Sequence, residues 1–385
     1  MFTFKLFSPV RKTALRIVAI SAVGLAALPV AGAGAASSIH PPYAISSLAS
    51  ANGHVWAAAL LSGSNPSWKL VGLNETTGAV SYEITTPDAK NASTPISVVP
   101  VGSDIVVLED RLLSARTVSG KNVVPNLATL SVYSQSSGAL LWSHVCGTSD
   151  GLTWCSHVYA SGNSIAASVY SWKSNGLTTN LYSLANGSKT ASMTIQSVNI
   201  HATGLSLRES SDGNSVFYLY GLLGQPLTGW CTSFTSPSVV IPVAKALPGP
   251  LSNLAVGGGN LFTTQTLSSG ASVLEMISAT TGSVTTLSGA NYQFPSQAEG
   301  GWSGGQVYAS GNIALAYSSN TTHVSEINAK TGALLHVLNL GSGLSSSPSS
   351  VSIEGSTIFV ATTSGVVAFD ATSGAKLRTL AASAL

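Results

Sequence analysis

Charge is what this sequence has least of. Asp, Glu, Lys and Arg make up 8% of its 385 residues, against about 25% in an average soluble chain. Nucleic-acid binding would need a basic stripe, and none is present. Cysteine is nearly absent too, with three residues at Cys146, Cys155 and Cys231. No CxxC occurs and the histidines are scattered, which excludes a structural zinc site. Helical periodicity is missing after the first 35 or so residues, so bundles and α/β folds are excluded. Apolar residues are plentiful, at 44%. A chain with regular apolar spacing and small net charge is not a disordered one.

The first residues read as an export signal. Lys5, Arg11, Lys12 and Arg16 form a basic region, Ile17 to Val30 an apolar one, and 31–35 a small-residue cleavage segment. Residues 1–35 are therefore expected to be a signal peptide, and 36–385 a single domain. An uncleaved anchor is the alternative, weakened by Pro29 and the nearby glycines. No later apolar run is long enough to span a bilayer. Without the segment, 16 basic residues become 12 against 14 acidic ones, a net charge of −2. Export permits disulfides. Pairing Cys146 with Cys155 would close a short turn-like loop and leave Cys231 buried and unpaired.

Two phrases recur along the rest of the chain. One is a Gly-rich or polar turn followed by a β-branched run, at Gly53, Gly102, Gly162, Gly213, Gly259, Gly311 and Gly355. These seven copies are separated by 44 to 60 residues. The other is an apolar strand, a small polar residue, then Thr or Ser, then Gly. It runs from Asn74 to Gly78, Ser134 to Gly138, Ser278 to Gly282, Asn328 to Gly332 and Asp370 to Gly374. The polar side chain can accept from backbone N–H groups two or three residues on, and the Gly supplies the positive φ of a hairpin connection. Each unit has room for four short strands. In the last unit they fall near Ser350–Ile353, Thr357–Thr362, Gly365–Phe369 and Ala375–Leu380. The expected fold is all-β: a seven-bladed β-propeller of four-stranded antiparallel blades. A sandwich or an open solenoid is the alternative.

Ser134 to Gly138, followed by Ala139-Leu140-Leu141-Trp142, resembles the repeat of the pyrroloquinoline-quinone-like and YVTN-type propellers. In that family the Trp packs between adjacent blades. The resemblance therefore implies a blade-docking role for Trp142, and for Tyr82 at the same offset after Gly78. Quinone-dependent members resemble eight-bladed rings with adjacent cysteines, a Ca²⁺ site and a catalytic Asp. Here Cys146 and Cys155 are nine positions apart, and no Glu/Asn/Asp set stands at matching positions. No cofactor and no metal are expected.

Few residues bear chemistry. Arg208 and Glu209 form the one charged pair on an expected inner strand, and alternation would let only one face the channel. Glu109 and Asp110 are expected in a turn after the strand Ile105–Leu108. His144, Trp154 and His157 flank the expected disulfide and could form an aromatic, imidazole-bearing patch. The G-x-S-x-G patterns at Ser149 and Ser303 lack the following helix that a hydrolase elbow needs. No catalytic residue is assigned. The expected role is a secreted binding or scaffold module that engages a protein or glycan through rim loops, with no nucleic acid and no membrane span after signal cleavage. A propeller enzyme with its site in the central channel, such as a quinone-dependent dehydrogenase, is the alternative.

Overall fold

In the computed structural model the described residues are 43–61, 67–85, 94–118, 121–123, 125–195, 198–200, 205–222, 225–234, 239–246, 251–267, 271–294, 305–318, 321–341, 350–362 and 365–381. The expected signal peptide lies outside them. Seven antiparallel sheets, each with a core of four strands, follow one another along the chain. Strands are named a to d from the axis outward. The a strands are Tyr43–Ala51, Thr94–Val101, Thr153–Ser161, Leu205–Ser211, Leu251–Gly257, Gln306–Ser310 and Ser350–Glu354. Most of these lie side by side around the axis, the first packing against both the second and the last. The chain is a seven-bladed β-propeller.

A lone blade leaves both of its apolar faces bare, and packing face to face in a ring covers them. Seven apolar clusters result, one in each seam between neighbouring blades. Blade 7 is built entirely of consecutive strands, ending with Lys376–Ala381. No strand is exchanged between the first and last blades among the described residues. Side chains close the ring instead. Leu48, Val55 and Val71 of blade 1 pack on Phe359, Val366 and Leu380 of blade 7, and the Ser50 and Ser352 hydroxyls meet at 2.8 Å.

The repeated c–d turns form as their chemistry predicts. Asn74 Oδ1 accepts from Thr76 N and Thr77 N at 3.0 and 2.9 Å. Asp370 Oδ1 accepts from Thr372 N and Ser373 N at 3.0 and 2.7 Å. Gly78, Gly138, Gly282, Gly332 and Gly374 all have φ between 67° and 77°. The turn glycine has a second job that the sequence did not reveal. A Cβ on Gly374 of blade 7 would lie 2.8 Å from His336 Cγ on the d strand of blade 6. A Cβ on Gly187, in the shortened turn of blade 3, would lie 2.9 Å from the Trp142 ring of blade 2. The turn of one blade thus sits directly on the outer strand of the blade before it, and any side chain there would wedge the seam open.

Candidate functional site

The inner strand of blade 3 carries the most concentrated chemistry. A bulge between Cys155 and His157 shifts its register against strand b, Ser164–Ser171. Neighbouring residues on a regular strand face opposite ways, and a bulge re-aims them. Here Ser156 and His157 both reach the same atom of blade 4. Ser156 Oγ and His157 Nδ1 each lie 2.7 Å from Glu209 Oε1. The Glu209 side chain is only 3% exposed, while that of His157 is 29% exposed. Burial alone would raise the Glu209 carboxyl. The His157 ring and the Ser168 and Ser156 hydroxyls outweigh it and hold the group below its ordinary value.

His157 Nδ1 meets the Glu209 carboxylate, and Nε2 is the ring nitrogen turned away from it. Phenols surround this pair. Tyr218 OH meets Ser168 Oγ and Thr179 Oγ1, both at 2.8 Å. Tyr159 and Tyr170 are partly exposed. Burial first, and then the Glu209 charge, push both phenols well above their ordinary value, so they stay O–H donors.

Arg208 and Glu209 alternate as expected, but neither of their two faces is the channel. Both faces of a radial blade meet neighbouring blades. Glu209 points into blade 3, whereas Arg208 points into blade 5 and donates to Leu251 O at 2.7 Å. His144 and His157 lie on strands of different blades and face different seams. His144 lies in the seam between blades 2 and 3, stacked on Trp142 at 5.3 Å and tilted against Tyr182. Trp142 Nε1 donates to Leu184 O of blade 3 at 2.7 Å. Tyr82, on strand d of blade 1, pairs in register with Gly72 on strand c, and its side chain lies outside the described residues. Cys231 is unpaired, yet half-buried rather than buried.

The turn expected at Glu109 and Asp110 is absent. Strand b of blade 2 runs on to Leu112, because Glu109 and Asp110 pair with Pro95 and Thr94 on one side and with Thr129 and Ala128 on the other. Trp68 Nε1 of blade 1 donates to Glu109 at 3.3 Å. Asn126 donates to Asp110 at 2.5 Å, and burial pushes the Asp110 carboxyl up to about 7.

Asp110 underlies a second assembly, on the rim opposite the repeated turns. Cys146 and Cys155 form the disulfide, with a Cα–Cα distance of 5.6 Å. Their loop is fastened from three directions. Asn126 N donates to Gly151 O at 3.0 Å, and Trp172 N to Leu152 O at 2.8 Å. Lys173 Nζ pairs with Asp150 at 2.9 Å. Arg116 donates to Asp150 O from a small hairpin, Arg116–Val118 with Lys121–Val123, inserted between strands b and c of blade 2. Insert, disulfide loop and the blade 3 turn therefore form one platform. Beneath it Trp154 stacks on Tyr170 and Trp172 at 5.7 and 6.4 Å. The sequence reading missed Arg116, Asn126 and Lys173. The unusual length between strands b and c of blade 2 was the one signal for this insert. Ser149 lies in the disulfide loop, and Ser303 lies outside the described residues.

No family model matches this chain, and no curated protein matches it. Solved structures do. One, from a study of two prolyl endopeptidases and their inter-domain dynamics, is 13% identical with a TM-score of 0.54, over 88% of this chain and 48% of that one. The chain thus spans about half the length of that protein. The β-propeller domain of the Trilobed protease from Pyrococcus furiosus, described as having an open velcro topology, is 7% identical with a TM-score of 0.53, over 89% and 97% of the two chains. At these identities the likeness is one of fold.

Proposed function

We propose that this chain is a secreted, non-catalytic β-propeller that serves as a binding or scaffold module at the cell envelope or outside the cell. Its partner would be a protein or glycan engaged through rim loops. The observation that supports this reading is the platform on blades 2 and 3. Recognition favours surfaces ordered before the partner arrives, since ordering them afterwards opposes binding. A disulfide, a salt bridge, an Arg116 side-chain bond and backbone bonds from the b–c connections of blades 2 and 3 hold this surface in one shape. The disulfide fits an oxidising compartment, and among the described residues no helix is long and apolar enough to cross a membrane.

The alternative is an enzyme working from the channel, and the imidazole held by Glu209 is what favours it. One experiment separates the two. Purified chain is incubated with pyrroloquinoline quinone and Ca²⁺, then assayed for reduction of a redox dye with a panel of alcohols and aldose sugars, alongside a thermal-shift measurement. The binding reading expects no dye reduction above a protein-free control and no quinone-dependent shift. Quinone-dependent turnover would overturn it.

A further inference from the structure

Asp110 and Asn126 meet beneath the platform, and the pair is chemically incomplete. Strand b of blade 2 is Asp104–Leu112 and strand c is Asn126–Ser134. Asp110 is in register with Ala128, and Leu112 with Asn126, so Asp110 and Asn126 are diagonal neighbours on one face. That face also carries Val106 and Leu108, which pack against blade 3. Asn126 Nδ2 donates to Asp110 Oδ2 at 2.5 Å. The two remaining oxygens, Asp110 Oδ1 and Asn126 Oδ1, are sealed from solvent and have no hydrogen-bond partner among the described residues. While the carboxyl is ionised both can only accept, so neither can satisfy the other. A carboxylic acid matches an amide through two bonds, amide N–H to one acid oxygen and acid O–H to the amide oxygen. The first bond is present. One proton on Asp110 Oδ1 would supply the second and partner both sealed atoms at once.

Backbone joins this pair to the platform. Asn126 N donates to Gly151 O in the disulfide loop at 3.0 Å, and a Cβ on Gly151 would lie 2.9 Å from the same nitrogen. The loop thus rests directly on Asn126. Among the described residues no cation pairs with Asp110. On its own strand Glu109 faces blade 1, where Trp68 Nε1 donates to it, and the Arg111 side chain lies outside the described residues. Strand a, Thr94–Val101, carries no titratable side chain. The seam between blades 2 and 3 holds His144, Tyr170 and Tyr182. On the platform Lys173 pairs with Asp150, and Arg116 donates to Asp150 O. None of these groups accounts for the raised Asp110 carboxyl, whose cause is burial.

We infer that Asp110 and Asn126 form a proton-operated latch beneath the platform. With its proton the pair is complete and holds Gly151 in place. Without it, a buried charge and an unpaired amide oxygen loosen the disulfide loop. The latch rests on the platform reading for its consequence in binding, since a surface firmest in acid takes its partner most tightly there. Folded, the carboxyl keeps its proton up to about 7, and unfolded only up to the ordinary 3.8. The folded chain therefore holds the extra proton between those values. The latch's stabilisation is complete below the lower value and is lost as pH rises through the upper one.

The test is hydrogen–deuterium exchange of residues 147–152, read by mass spectrometry, with no partner present. The native full chain and Asp110→Asn are compared at about pH 5 and at about pH 8. The introduced amide donates to Asn126 Oδ1 at either pH, as the acid does, and comparing the two chains at one pH cancels the intrinsic pH dependence of exchange. The native-to-variant ratio of loop exchange rates is expected to rise about tenfold between the two conditions. Over the same range the native melting temperature should fall relative to that of the variant. Should Asp110→Asn fold poorly, the native chain supplies the answer alone: its Asn126 side-chain amide resonances should titrate with a midpoint of about 7. A ratio that stays level or falls with pH, or a midpoint below about pH 5, overturns the latch. Neither readout needs a partner. Failure of the platform as a recognition surface would leave both standing, and failure of the latch leaves that surface to be judged by its own binding.

Discussion

Two seams of this ring do the same geometric job with different materials. Between blades 7 and 1 the buried apolar set is Leu48, Val55, Ala57, Val71, Leu73, Phe359, Ala361, Val366, Ala368 and Leu380, and polar contact is limited to the Ser50–Ser352 hydroxyl pair and Glu354 accepting from Gly53 N among the described hydrogen bonds. Between blades 3 and 4 the set includes Tyr218 and Trp230, and Glu209, Ser168 and Thr179 are buried with them. Apolar contact is tolerant, and each Å² removed from water contributes about 25 cal/mol whatever it touches. Buried polar groups are not tolerant, since each must find a partner or cost about 1–3 kcal/mol. The closing seam is thus built for stability. The seam between blades 3 and 4 carries a polar load that the closing seam does not, and two of its buried atoms, Glu209 Oε2 and Trp230 Nε1, have no partner among the described residues.

The largest expected effect lies at the closing seam. Phe359 is fully buried, and among the described residues no exchanged strand backs it up. Phe359→Ala should lower the unfolding free energy by about 3–5 kcal/mol, read from urea denaturation. A loss near zero would mean that something other than this cluster holds the ring shut.

Breaking the polar seam should cost less and should depend on pH. Glu209→Gln removes a charged acceptor from His157 and Ser156, worth about 1.5–3 kcal/mol at neutral pH. The sign of the pH effect follows from the depressed carboxyl. Its stabilisation is complete above the ordinary value of 4.5 and is lost as pH falls through the lower folded value. The native chain should therefore lose melting temperature below about pH 4.5 more steeply than Glu209→Gln. Parallel curves for the two would show that Glu209 adds nothing to the seam.

The fold was legible because it is written seven times. In the last unit all four expected strands form, and Thr357–Thr362 has the expected bounds. Turn chemistry is local, so Asn74, Asn328 and Asp370 could be read without knowing their neighbours. The candidate site was legible only in its parts. Glu209 and His157 were visible as unusual residues, but they are 52 positions apart and meet through a bulge. A bulge leaves almost no mark in composition. The Glu109 and Asp110 turn was misread for a related reason. Charged residues usually end strands, and here a neighbouring Trp, an Asn and burial accommodate them inside one. The inserted hairpin appeared in the sequence only as extra length.

The smallest expected effect belongs to neither seam and checks the contrast from outside. Asn328 Oδ1 accepts from Lys330 N and Thr331 N, both at 3.0 Å, in an exposed turn. After Asn328→Ala those N–H groups turn to water instead of being stranded, so only the net worth of the bonds is lost, about 0.5–1.5 kcal/mol. Glu209→Gln leaves a partly exposed imidazole and a buried hydroxyl facing a neutral amide where a charge stood. Each substitution weakens two hydrogen bonds, so the gap between them in denaturation reflects the buried charge. If Asn328→Ala proved as damaging as Glu209→Gln, the polar seam would be no more demanding than a surface turn, and its distinction from the closing seam would lose its physical basis.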